Sequence, residues 1–99
     1  MIHNLDPLFH DRTRLGILIM LLRKEEVDFN TLKKTLELTD GNLATHLRKL
    51  EQAGIVEYRK TFVGRRPRTY YRLTDEGREK FLEYLNNLRS VLEKLKEGG

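Results

Sequence analysis

The periodicity of the apolar residues changes once, sharply, at Gly54, and that change limits the folds open to this chain. Before it the apolar positions recur every three or four residues, as in Leu43, Leu47 and Leu50; after it Val56 and Tyr58 alternate with Glu57 and Arg59, and Thr69, Tyr71 and Leu73 alternate with Tyr70 and Arg72. After Thr74 the helical period returns and holds to about Glu97. A chain of 99 residues supports one modest core. The expected order is therefore helices, a β-hairpin, then one long helix, a mainly helical α+β domain spanning 1–99.

The helical half divides further. Leu15, Leu18, Ile19 and Leu22 recur at helical spacing and mark a first helix over about 11–23, after an apolar lead-in of Leu5, Leu8 and Phe9 around Pro7. Val27 allows only a very short strand. Asp28 is placed to cap a second helix carrying Phe29, Leu32 and Leu36. The Leu38–Gly41 stretch breaks the pattern, with Thr39 as N-cap and Asp40 at the positive end of a third helix that runs to about Ala53 and stops at Gly54. Two helices joined by about four residues, over 28–53, are a helix-turn-helix. The hairpin, over about 55–73, turns within Phe62–Arg68, and Thr74 caps the final helix over about 75–97.

Charge follows this division. The net charge is +4, but between Glu57 and Arg72 six basic residues stand against the single acidic Glu57, leaving +5 there and −1 elsewhere. A basic hairpin on a nearly neutral body marks contact with a polyanion. Arg65, Arg66 and Arg68 can reach phosphates or a narrow minor groove. On the third helix, residues placed 100° apart leave Gly41, Asn42, Thr45, Arg48 and Lys49 outward and His46 on the flank, a small, polar and basic face of the kind a major groove admits. Taken alone, that face also suits an ordinary surface helix.

Phe81, Leu85, Leu88, Leu92 and Leu95 follow one another at spacings of 4, 3, 4 and 3, a heptad seam on a helix about 33 Å long. Burying Leu85, Leu88, Leu92 and Leu95 is worth about 1.5 to 3 kcal/mol each, so they need a partner. A second copy of the chain is the reading preferred over the first helix of the same subunit. Several classes are excluded or disfavoured. The absence of cysteine removes disulfides, thiolate metal sites and cysteine nucleophiles. Ser90 is the only serine and no glycine spacing matches a nucleotide loop, so no catalytic set emerges. The longest apolar run, Ile17–Leu22, is too short to span a bilayer, and no signal segment opens the chain, so a cytoplasmic location and no membrane partner are expected. His3 and His10, near Asp6 and Asp11, fit no standard ligand spacing, and neither metal nor cofactor is expected. High Lys, Arg and Glu with the single Gln52 suit a thermophilic source.

The run Leu38-Thr39-Asp40-Gly41-Asn42-Leu43-Ala44-Thr45-His46-Leu47-Arg48-Lys49-Leu50-Glu51-Gln52-Ala53-Gly54, followed by Phe62-Val63-Gly64-Arg65-Arg66-Pro67-Arg68-Thr69-Tyr70-Tyr71-Arg72-Leu73-Thr74-Asp75-Glu76-Gly77, resembles the single-domain winged helix-turn-helix regulators related to the MarR and ArsR families. The resemblance runs from Leu8 onward. It implies a three-helix core, a β-hairpin wing and a long C-terminal dimerisation helix. It implies a homodimeric transcriptional regulator on a pseudo-palindromic double-stranded DNA operator, with Gly41, Asn42, Thr45 and His46 facing bases and Lys49 and the wing arginines on the backbone. The metal-binding clusters of ArsR-like sensors are missing. Asp40 stands where a small hydroxyl residue is common, and either caps the helix or accepts a bond from cytosine N4. The rival reading is a winged-helix adaptor that binds proteins and no DNA. The sequence does not specify an effector.

Overall fold

A computed structural model describes residues 5–98. The elements are α1 (Arg12–Arg23), β1 (Val27–Asp28), α2 (Phe29–Leu36), α3 (Asp40–Gln52), β2 (Val56–Val63), β3 (Arg66–Leu73) and α4 (Asp75–Gly98). The helices, the three-stranded antiparallel sheet and the long last helix agree with the architecture read from the sequence.

Each helix start has a side chain that satisfies an otherwise open backbone N–H. Asp11 accepts from Arg14 N, Asp28 from Thr31 N, and Thr39 from Asn42 N. Thr74 does more: its Oγ1 accepts from Gly77 N at 2.8 Å and donates to the Gly54 carbonyl at 2.6 Å, tying the start of α4 to the end of α3. Gly77 is required at that junction, because a Cβ there would lie 2.0 Å from the Ile55 carbonyl oxygen.

The sheet order is β1-β3-β2, with Val27 opposite Tyr71 and Val56 opposite Leu73. Its inner face contributes Val56, Tyr71 and Leu73 to a core shared with Ile17, Leu18 and Leu21 of α1, Leu32 of α2, Leu43, Leu47 and Leu50 of α3, and Phe81 and Tyr84 of α4. The buried side of α1 is Arg14, Ile17, Leu18 and Leu21, whereas Ile19 is exposed and Leu15 and Leu22 are partly buried. The run Ile17–Leu22 is apolar on all sides, so its periodicity could not identify the inner face. The hairpin turn is also far shorter than Phe62–Arg68. Val63 pairs with Arg66, leaving only Gly64 and Arg65 in the bend. Gly64 has φ +65° and Arg65 does not share the left-handed region, the pattern of a type II′ turn, in which glycine leads.

The molecule measures 57 × 26 × 21 Å, and its long dimension reflects α4, whose last turns extend past the core. Phe81 was expected in the intersubunit seam, but it is fully buried in its own subunit, its ring 5.8 Å from that of Phe9. The lead-in residues fold back over α4 and occupy that end of the seam. Leu85 and Leu88 are partly buried against the core, while Leu92 and Leu95 are 54% and 62% exposed.

Candidate nucleic-acid interface

The amphipathic pattern of α3 sorts its residues in space. Leu43, Leu47 and Leu50 are buried, and Gly41, Asn42, Thr45, Arg48 and Lys49 are exposed on the opposite side. The chain leaves that ridge uncovered. Asp40, in the first turn, forms a 3.0 Å ion pair with Lys33 of α2, and Thr39 supplies the cap, so the carboxylate is partly neutralised by its own fold. Thr45 donates its hydroxyl proton to the Gly41 carbonyl at 2.9 Å; its lone pairs and methyl group remain for an outside contact.

Gly41 is unusual among the internal glycines. Its φ is not in the left-handed region, and a Cβ added there would meet nothing within 4 Å. Glycine inside a helix costs about 0.5 to 1 kcal/mol relative to alanine, and among the described residues no neighbour crowds the position. Its small size therefore makes sense for a contact outside the chain.

His46 departs from its expected base-facing position. It is directed at α1, with its side chain only 22% exposed, and its Nδ1 lies 3.0 Å from Arg14 Nη1. A guanidinium only donates, so Nδ1 is the acceptor in that contact. Arg14 is the residue the sequence reading missed. It is buried, and it also donates through Nε to the Leu8 carbonyl at 2.7 Å and through Nη2 to that of Pro7 at 3.4 Å. It thus ties the lead-in to the flank of α3. Asp11, 3.9 Å from Arg14, is held below the usual carboxylate range chiefly by accepting the Arg14 backbone N–H; burial opposes this, and the charge of Arg14 assists it. A basic residue in the first turn of an amphipathic helix, on the side of its apolar stripe, was the available signal.

The other histidine among the described residues is also engaged. His10 Nδ1 lies 2.7 Å from the Tyr84 hydroxyl, and burial raises the Tyr84 phenol above its ordinary value. His3 lies outside the described residues. Among those described, no group of three or more His, Asp or Glu residues is arranged to hold a metal, and no helix is long and apolar enough to cross a membrane.

The hairpin divides its charges between two tasks. Arg59 makes a two-pronged ion pair with Glu26, both contacts 2.8 Å, and this holds the Glu26 carboxyl below its usual range. Arg72 pairs with Glu57 at 3.0 Å. Those two arginines brace the base of the ribbon. Further out, among the described residues, Arg65, Arg66 and Arg68 make no ion pair, although Arg68 lies near enough to Asp28 to help hold its carboxyl low against the opposing effect of burial and alongside bonds from Thr31. Arg66 and Arg68 share one face of β3, and Arg65 is in the turn.

A helix-turn-helix with an uncovered polar ridge and an arginine-tipped ribbon is the geometry of one known family, whose profile, described as "Winged helix DNA-binding domain", matches residues 13–92. The chain belongs to the winged helix DNA-binding domain family. The winged helix is 42% identical over 78 residues to an uncharacterized protein of Methanocaldococcus jannaschii, covering 79% of this chain and 85% of the relative. It superposes with a TM-score of 0.83 on the structure of a transcriptional regulator homologue from Pyrococcus horikoshii, at 39% identity and covering 89% of this chain and 87% of the other. A regulator of the MarR family from Enterococcus faecalis shares the fold, with a TM-score of 0.73, 24% identity and coverage of 92% and 81%.

Proposed function

We propose that this winged helix is a homodimeric transcriptional regulator that binds double-stranded DNA in a sequence-specific manner, as one functional unit over residues 1–99. The observation that carries the reading is the uncovered ridge of α3, with a glycine at its leading end where an added Cβ would meet no atom within 4 Å. In this reading α3 lies in the major groove. Gly41 allows close approach, Asn42 and Thr45 contact base edges, and Arg48 and Lys49 contact bases or phosphates. Arg65, Arg66 and Arg68 hold the backbone or the neighbouring minor groove. His46 supports α3 from behind and makes no base contact.

Leu92 and Leu95 favour a second copy as the partner of α4. They continue the stripe of Leu85 and Leu88 beyond the end of the core, and covering them is worth about 1.5 to 3 kcal/mol each. A twofold dimer presents two α3 helices to successive major grooves about 34 Å apart, on a pseudo-palindromic site.

Selection of bound fragments from a random duplex pool, followed by titration at several salt concentrations, tests the reading. Six wing arginines per dimer on phosphates correspond to a slope of log K against log salt of about −5, or a roughly thousandfold loss of affinity between 50 and 200 mM. Tight binding without salt dependence would contradict the proposed contacts. A monomer that ignores duplex DNA and binds another protein would favour the adaptor.

A further inference from the structure

The tip of the wing has an apolar face that phosphate contacts do not explain. Phe62 is 70% exposed, more than any other large apolar side chain among the described residues, and it is paired across the ribbon with exposed Pro67. Val63 and Arg66 flank the two-residue turn and form the hydrogen-bonded closing pair of such a hairpin; the next pair, Phe62 with Pro67, is therefore of the non-hydrogen-bonded kind. Two consequences follow. Pro67 forfeits no ladder hydrogen bond, and the two side chains stand closer than in a bonded pair, forming one blunt apolar edge.

Alternation sets that edge on the face of the sheet that carries Val56, Tyr71 and Leu73, but beyond the end of the core: Phe62 is not among the residues packed against it. Arg66 and Arg68 are on the other face, and Arg65 is in the bend. The ribbon thus combines an apolar wedge with cationic groups a residue or two away. Proteins that enter the minor groove use this combination, the cations holding the phosphates of both strands while an apolar side chain separates two stacked base pairs and kinks the duplex.

We propose that Phe62, backed by Pro67, inserts between base pairs from the minor groove and bends the DNA to which the winged helix binds. This rests on the DNA-binding reading above. It adds a source of specificity without base hydrogen bonds: the step under each wing is a pyrimidine–purine step, TA or CA/TG, because these unstack and kink most easily.

The test uses the full chain and a duplex recovered by selection, with bending measured by circular permutation electrophoresis and unstacking by fluorescence of 2-aminopurine beneath the wing. The wild type is expected to bend the duplex by at least about 20° and to raise the fluorescence. Phe62→Ala, at an exposed site where folding is not at stake, should abolish both signals and weaken binding severalfold with an unchanged salt slope. Phe62→Leu, still an apolar wedge, should retain most of the bend. A bound duplex that is straight, or one that Phe62→Ala bends as the wild type does, overturns the wedge and leaves DNA binding intact. A shift of Phe62→Ala to a smaller oligomer assigns the side chain to a subunit contact and also overturns it. Failure of the wild type to hold any selected duplex refutes the DNA-binding reading itself.

Discussion

Replacing Gly41 by alanine separates a glycine kept for an outside contact from one kept for the fold. A Cβ at this position meets no atom within 4 Å and the backbone is ordinary helix, so the change should stabilise the free protein by about 0.5 to 1 kcal/mol. For a domain of this size that raises Tm by about 2 to 8 °C. In the proposed complex with DNA the same methyl group would occupy the space through which the leading end of α3 reaches the groove. Loss of even one base contact, at about 1 to 3 kcal/mol, weakens binding roughly five- to 150-fold. Gly77→Ala is the control: its Cβ would fall 2.0 Å from the Ile55 carbonyl oxygen, and it should destabilise the fold by at least about 1 to 3 kcal/mol. Thermal denaturation and fluorescence anisotropy on a labelled duplex give both quantities for each variant. A Gly41→Ala protein that is more stable and binds as tightly as the wild type would refute the close-approach argument, and one with a lower Tm would reveal an internal role for the glycine.

Three further outcomes are expected. Arg14→Met, which leaves the Leu8 and Pro7 carbonyls and His46 Nδ1 without their donor, should lower stability by about 2 to 4 kcal/mol in urea denaturation, and an unchanged midpoint would show that the bonds are dispensable. Asp11 has a carboxyl held below its ordinary value in the folded state, so its contribution is present above the unfolded value near pH 4 and is lost as pH falls through the lower folded value. Asp11→Asn should therefore reduce the loss of stability below about pH 4, measured as Tm against pH, and an acid limb as steep as that of the wild type would count against it. Leu92→Glu with Leu95→Glu, at exposed sites beyond the core, should yield a folded monomer by light scattering with DNA affinity reduced at least tenfold; an unchanged oligomer would move the subunit contact elsewhere.

The legibility of the candidate site differed from element to element. The ridge of α3 could be read directly, because Leu43, Leu47 and Leu50 determine one face and thereby expose Asn42, Thr45, Arg48 and Lys49 on the other. His46 sits at the border of the two faces, where a rotation of a few tens of degrees decides whether a side chain meets solvent or a neighbour. Its partner, Arg14, is 32 positions away, and only the packing of α1 against α3 brings them together. The hairpin shows the same contrast. Its strands alternate visibly, yet Gly and Pro around the arginines suggested a long loop. Pairing across the ribbon tightened the bend to two residues and sent Phe62 and Arg66 to opposite faces.

Local rules already specify the order of the elements, their caps and the concentration of positive charge in the hairpin, because each depends on residues within one turn or one strand of each other. The tertiary structure decided which leucines of the last helix remain available, since Phe9 folds back over Phe81 while Leu92 and Leu95 lie beyond the core. It also decided which arginines are committed, Arg59 to Glu26 and Arg72 to Glu57, and which, among the described residues, make no ion pair. Apolar contact and ion pairing act between groups close in space, and distance along the chain does not reveal that closeness until the chain has folded.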